Sequence, residues 1–430
     1  MIFEIPGANN KLVQLIVPIL VILGLGYYDF VSCYSLGYQQ IYKYHSHGVA
    51  ISLWVLVGFI EVTLFLYWIL IFIIGPGKAP KLAPFDIYNE HSQDLTTLPD
   101  IFLCDKFGYP YYNSHTDSLT IPRSFYSKHT EYMVLKYDHY CLWIGSVIGE
   151  NNYLFFMKFM IWFFLLFFVP LIYLIRYVPS QISREGEINH NFIPMFIFCG
   201  FWLIMIGALF GVHFKYVCIN MTTFDEITMT QKKIYRRWKY NSESYKKSHR
   251  KPRKENGKRF VNIKKDNLRL VVQFDIEDHP YNMGFKKNWI NLVFNGNRNH
   301  GLDSEFYTGN KLAYTFLILL IPFVDIPIAF KNRTTIASIE QVDPESRYSE
   351  YKRNSSTINP DFLQSLYRKI EYKDCYLAQY LSPEILATYT NHRSKVEVSD
   401  DDDNYNEPKA APSSDKNSPS TKTTVSDDPI

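Results

Sequence analysis

Apolar residues in this chain gather into long blocks instead of recurring at the three- and four-residue spacing of a soluble helical core. Four blocks, residues 12–30, 49–74, 153–175 and 192–219, are long enough for a helix to cross a hydrocarbon layer about 30 Å thick. Backbone polar groups find no water in lipid, so each block is expected to be helical. The first lacks the short apolar core and small-residue cleavage site of a removable signal, and little positive charge flanks it, so it is expected to stay as an anchor. A fifth apolar run, residues 312–330, contains Pro322, Asp325 and Pro327, which points to an interfacial or partly embedded segment rather than a fifth crossing. From Ser399 onward the chain is acidic and then rich in Ser, Thr, Pro and Lys, the composition of a disordered tail.

The pattern predicts an α-helical integral membrane protein with four transmembrane helices. Its parts are a membrane core over residues 12–219, a polar module over 76–152 inserted between spans two and three, a polar region over 220–394, and a disordered tail over 395–430. The composition, 47% hydrophobic and 17% aromatic, suits that class. A net charge of +3 decides little by itself, but the placement of the charges predicts orientation. Short connections after the first and third spans carry Lys43, Arg176 and Arg184. The 75–152 segment carries Lys78, Lys81, Lys106, Arg123, Lys128 and Lys136, and a run with Lys232, Lys233, Arg236, Arg237 and Lys239 follows the fourth span. Basic loops are retained in the cytosol, so both termini and the 76–152 module are expected there, in an endomembrane or the plasma membrane. The basic run over 232–259 then lies beside anionic headgroups, and nucleic acid is not an expected partner.

Six cysteines, Cys33, Cys104, Cys141, Cys199, Cys218 and Cys375, have no paired spacing and imply no disulfide framework. Cys141 differs from the rest because it ends the tetrad Asp138-His139-Tyr140-Cys141 just before the third apolar block. A thiol attacks as its thiolate, which an adjacent imidazole generates and a carboxylate supports by orienting the ring. Cys141, His139 and Asp138 are therefore the candidate nucleophile, base and orienting group, set beside a membrane.

Onward from the tetrad, Trp143, Gly149, Asn152 and Phe156 stand at the positions of the signature of DHHC-family protein S-acyltransferases, the integral-membrane palmitoyltransferases, and the chain resembles that family. After the fourth span, Thr222-Thr223-Phe224-Asp225-Glu226 is similar to the family's Thr-Thr-x-Glu element, with either Asp225 in the acidic place or Glu226 shifted by one. The segment Pro280-Tyr281-Asn282-Met283-Gly284, with Asn288-Trp289 downstream, is similar to its Asn-Trp element. The resemblance, of a fungal-type member, covers roughly residues 12–296. It implies a cytosolic catalytic module between spans two and three and a cytosolic C-terminal region.

The family's usual pair of structural zinc ions is where the chain departs. Its ligand positions are occupied here by Tyr126, Ser127, Thr130, Met133, Tyr140 and Val147, leaving Cys104 as the candidate from an upstream pair. Tetrahedral zinc requires nitrogen, sulfur or oxygen donors that threonine, valine and methionine do not supply, so structural zinc is expected to be absent and no metal ligand is assigned. Tyr109, Tyr111, Tyr112, Phe125, Tyr126, Tyr132 and Tyr137 enrich the same region in rings. Burying each contributes about 1.5–3 kcal/mol, so several offset part of the roughly 10–16 kcal/mol of a structural zinc. Leu142 also replaces the proline commonly found after the family's cysteine.

The resemblance implies that Cys141 takes an acyl group from a fatty acyl-coenzyme A, palmitoyl-coenzyme A above all, and passes it to cysteine thiols of membrane-associated or cytosolic-face substrate proteins. His139 moves the proton, Asp138 stabilises the imidazolium, no prosthetic group takes part, and Trp143 packs near the nucleophile. The spans supply an apolar path for the chain, with Trp162, Phe163 and Phe164 among possible linings or ordinary packing. Mid-span Glu61 is read as a cavity residue or a helix-pairing one, and Lys158 as snorkelling to the interface. A catalytically silent scaffold of the same fold is the main alternative. A solute transporter is disfavoured by the absence of an internal repeat.

Overall fold

The computed structural model describes residues 11–84, 99–240, 247, 258–265, 268–294, 305, 308–327, 330 and 358–380. These fall in the first of two units of the chain, Met1–Ser382; the second, Pro383–Ile430, with the expected disordered tail, lies outside the described residues, as does most of 241–257 in the basic run.

Among the described residues, four helices are long and apolar enough to cross a membrane. They are α1 (Lys11–Asp29), which continues as a π-wound stretch Phe30–Tyr42, then α2 (His47–Ile74), α3 (Tyr153–Glu185) and α4 (Phe192–Ile219). The first and third run past the apolar blocks expected at 12–30 and 153–175 because their polar ends hold one another. Gln40 donates to the Tyr177 carbonyl and to Ser180, each at 3.2 Å, and Arg184 bonds Gln40. In the π-wound stretch Phe30, Tyr34, Tyr38 and Tyr42 stack as a ladder, 5.5–5.9 Å between successive rings. Gly37 is required there, since a Cβ would lie 2.4 Å from the Trp54 indole nitrogen.

Packing of α2 on α3 and α3 on α4 builds the apolar core. Phe163, Phe167, Phe198 and Phe201 of α3 and α4 surround Trp202. Glu61 does not stand alone: its neighbour is the Asp29 carboxyl of the first span, the placement of a helix-pairing mid-span carboxyl.

Among the described residues between α2 and α3 are β1 (Ile101–Cys104) and three short antiparallel hairpins. These pair β2 (Tyr112–Asn113) with β3 (Ser118–Leu119), β4 (Phe125–Ser127) with β5 (Tyr132–Val134), and β6 (His139–Cys141) with β7 (Ser146–Ile148). After α4 come α5 (Thr223–Tyr240), the long hairpin β8 (Lys258–Lys265) and β9 (Leu268–Asp275), α6 (Phe285–Phe294), α7 (Lys311–Leu320), α8 (Pro360–Glu371) and β10 (Tyr376–Leu377). Strands β1, β8, β9 and β10 make one antiparallel sheet in that order, with Phe102 opposite Asn262. The inter-span module and the region after the fourth span, separate in sequence, therefore share a sheet and a core of Phe102, Cys104, Leu119, Met133 and Val271.

The 312–327 segment packs on the spans, and its helix α7, 10 residues long, is shorter than a crossing requires. Leu312, Phe316 and Ile326 lie against the bundle core, and Ile318 and Leu319 belong to it. Its anchor corrects the reading of Lys158 as a snorkelling side chain. Lys158 and Asp325 are fully buried and 2.9 Å apart, and the ammonium also donates to the carbonyls of Ile318 and Ile321 at 2.7 and 2.8 Å. With three acceptors in reach inside the protein, the ammonium has no need of the interface. Tyr67 of α2 donates to the same carboxylate at 3.0 Å.

Candidate active site

The tetrad runs from Asp138, just before β6, through His139, Tyr140 and Cys141 on it, and the turn after it is pressed against the membrane helices. Gly145, at φ +81°, closes that turn with its N–H donating to the Cys141 carbonyl at 2.8 Å, and a Cβ there would approach Pro18 of the first span to 3.2 Å. Trp68 of α2 donates its indole N–H to the Ile144 carbonyl at 3.0 Å. Cys141, Ile144 and Ile148 consequently join the same apolar cluster as the spans. The Cys141 residue is 6% exposed and the His139 side chain 26%, so the thiol lies just beneath the surface beside a ring that reaches solvent.

His139 Nδ1 lies 2.7 Å from Asp138 Oδ2. Thr223, at the start of α5, fixes the carboxylate with its backbone N–H on Oδ1 and its hydroxyl on Oδ2, both at 2.8 Å. Burial alone pushes the Asp138 carboxyl up, but the bond and charge of His139, with the Thr223 N–H, outweigh it and hold it at about 2. Burial likewise opposes charging of His139. The hydrogen bond to Asp138, with the neighbouring Cys141, overrides it and lifts the ring to about 10. The sequence-predicted Cys141, His139 and Asp138 are thus brought together with a carboxylate that stays ionised and an imidazole that holds a proton.

Each signature residue has a physical task. Gly149 is enclosed, since a Cβ there would meet the Pro76 carbonyl at 2.6 Å and Val134 at 2.7 Å. Buried Asn152 accepts from the Gly149 N–H at 2.9 Å and donates to the carbonyls of Val147 and Ile71 at 2.9 and 3.3 Å, stapling β7 to α2. Phe156 meets the His139 ring edge to face at 5.4 Å. Trp143 packs edge-on against Trp202 of α4 at 5.5 Å. In the Thr-Thr element Asp225 pairs with Arg123 at 3.0 Å, while Glu226 faces Lys215 at 3.9 Å. Asn288 donates to the Cys218 carbonyl at 2.8 Å, docking the downstream element on the end of α4.

The residues at the family's zinc positions do not fit a tetrahedral zinc. Met133 packs with Leu119 and Leu135, and Val147 is buried. Tyr140 stacks on His129 at 3.9 Å and Tyr126 on His115 at 5.5 Å. Cys104 is enclosed in the second core, where burial pushes its thiol up and disfavours the thiolate that zinc requires. Rings and aliphatic groups occupy the places of the donors.

Sequence reasoning passed over His213, which the structure places at the tetrad. It lies on α4, its Nδ1 4.0 Å from Asp138 Oδ2 and 2.8 Å from the Tyr153 hydroxyl. The signal was present as an imidazole inside an apolar span, a placement that is rare without a use. Asp138, His139 and His213 offer donor atoms within 4.8 Å of one another, but the closest two are engaged with each other in a hydrogen bond.

A thiol, an imidazole and a carboxylate thus meet at the foot of helices long and apolar enough to cross a membrane. A family model described as DHHC palmitoyltransferase matches residues 106–230. The chain is 45% identical to Palmitoyltransferase PFA5 of Candida albicans over 405 residues, 92% of this chain and 99% of that protein. It is 31% identical to Palmitoyltransferase PFA5 of Kluyveromyces lactis over 233 residues, 51% of this chain and 65% of that protein. A shorter match, 31% over 96 residues, joins 21% of this chain to 28% of rat Palmitoyltransferase ZDHHC15. The chain belongs to the DHHC palmitoyltransferase family and is a protein S-acyltransferase of that kind.

Proposed function

We propose that Cys141 carries the acyl group during protein S-palmitoylation, with His139 as the proton-transfer group and Asp138 as its electrostatic support. The observation behind this reading is the 2.7 Å Asp138–His139 bond beside a thiol that packs into the membrane core. His139 Nδ1 is engaged with Asp138, so the proton the ring holds on Nε2 is the one Cys141 gives up, and the pair meets the acyl donor as thiolate and imidazolium. The Cys141 sulfur attacks the thioester carbon of palmitoyl-coenzyme A, its bond to the coenzyme sulfur breaks, and the departing thiolate takes the proton back from His139. In the second half a substrate-protein cysteine gives its proton to His139 and attacks the acyl-Cys141 carbonyl. The Cys141 thiolate then leaves and is reprotonated.

An acyl chain needs an apolar path, because each buried methylene contributes about 0.8 kcal/mol. The apolar surroundings of Cys141 among the spans support one starting at the thiol. The basic 75–152 segment and the basic run after the fourth span support a cytosolic site and cytosolic termini. The ring stacks of Tyr126 and Tyr140 support a module that folds without zinc. Membrane lipids and proteins with accessible cysteines at the cytosolic face are the partners this reading requires.

Purified chain incubated with labelled palmitoyl-coenzyme A tests it. Label that hydroxylamine releases and that Cys141→Ala abolishes is the expected result; label that survives Cys141→Ala contradicts the assignment of the nucleophile, and no label at all favours the silent scaffold.

A further inference from the structure

We propose that His213 is a positioning residue for acyl transfer: from the fourth span it locks the Asp138–His139 dyad in place, with Tyr153 of the third span holding it in turn. This rests on the assignment of Asp138 and His139 above.

His213 is 3% exposed, on a helix whose side chains are otherwise apolar or aromatic apart from the exposed Lys215 near its end. An imidazole is costly in such a place and is retained where a partner or a site uses it. Its Nδ1 bonds the Tyr153 hydroxyl at 2.8 Å and lies 4.0 Å from Asp138 Oδ2. Asp138 is therefore enclosed by Thr223 through two bonds, by His139, and by the polar edge of His213. The rings are coupled as well. Phe156 meets His139 at 5.4 Å and His213 at 4.9 Å, edge to face with both, so it is a shared wedge between the two imidazoles. The His139 and His213 centroids are themselves 5.6 Å apart. A rotation of His213 moves both the wall of the carboxylate and the surface on which His139 rests.

The titratable and charged groups around this corner come from every packed element. They are Asp138, His139 and Cys141 with neighbouring Arg123 and Lys136 from the module, Tyr153 from α3, Tyr216 from α4, and Asp225 and Glu226 from α5. Packing alone would be served by a phenyl ring of similar size. What a phenyl lacks is the polar edge toward Tyr153 and Asp138, and this separates a positioning role from a structural one.

The test compares full-length His213→Phe, Tyr153→Phe and Asp138→Asn with the parent chain, purified in detergent and checked for folding by Tm. The rate constant and KM for acyl-enzyme formation with palmitoyl-coenzyme A are measured, along with the pH profile of Cys141 alkylation by iodoacetamide. His213→Phe is expected to lower the rate constant roughly tenfold or more with KM little changed, and to move the His139 limb of the profile to lower pH, because the carboxylate that raises it is less well oriented. Tyr153→Phe, which removes one oxygen, is expected to move both readouts the same way by less, and it decides the matter if His213→Phe does not fold. Parent-like rates and profiles in the folded His213 and Tyr153 variants, with Asp138→Asn impaired, overturn the positioning role alone. An unimpaired Asp138→Asn overturns the underlying assignment and the proposal with it.

Discussion

At the scale of single residues, the site depends on one carboxylate held ionised in a buried place. Asp138→Asn removes the charge that raises His139, and acyl-enzyme formation is expected to fall by roughly 10²- to 10⁴-fold. Stopped-time labelling with palmitoyl-coenzyme A checks it. Stability should follow the same pair with pH. Charged His139, lifted to about 10 from 6.5, contributes stability that is fully present below 6.5 and lost as pH rises through about 10. Asp138, held at about 2 from 3.8, contributes stability present above 3.8 and lost as pH falls through about 2. The Tm of the purified chain should therefore decline between pH 6.5 and 10, and Asp138→Asn should flatten that decline. Gly149→Ala places a methyl against the Pro76 carbonyl and Val134, at an expected cost of about 1–3 kcal/mol seen as a lower Tm. Cys141, His139 and Asp138 were legible in sequence because they are contiguous. Thr223, 85 positions from Asp138, was legible as a motif member, but its bonds to the carboxylate required the fold. His213 was hidden inside a block whose apolar neighbours dominated the reading.

At the scale of elements, membrane helices announce themselves by length and composition, and the four blocks were found where helices stand. Their polar ends were not, since Gln40 and Arg184 read as loop until the structure shows them bonded to each other's helices. The short hairpins were equally obscure, being two or three residues per strand with no alternation to read. The run over 312–330 shows what Asp325 does there. It interrupts the apolar pattern, and it is also the partner that ties the segment to Lys158 and Tyr67. Lys158→Met leaves that carboxylate buried without its cation and should destabilise by about 3–5 kcal/mol. The double variant Lys158→Met with Asp325→Leu should recover much of the loss, and thermal unfolding of the single and double variants in detergent reads the difference.

At the scale of the whole molecule, the inter-span module and the region after the fourth span are held together by a shared sheet and by Arg123, which bonds Asn220 and Asp225 and lies over the Tyr281 ring. This long-range joining was not legible in sequence, because β1 and β8 are separated by two membrane spans. The packed rings at the zinc positions predict less than one zinc per chain in metal analysis of the purified protein, and a folded state that survives chelator. Stoichiometric zinc with loss of structure on chelation would contradict that. The most direct measurement for the central claim is peptide mapping by mass spectrometry of the chain after a single turnover with palmitoyl-coenzyme A. The expected product is a thioester-linked acyl group on the peptide containing Cys141 that disappears when an acceptor cysteine is added. An acyl group found on another cysteine, or one on Cys141 that no acceptor removes, would contradict it.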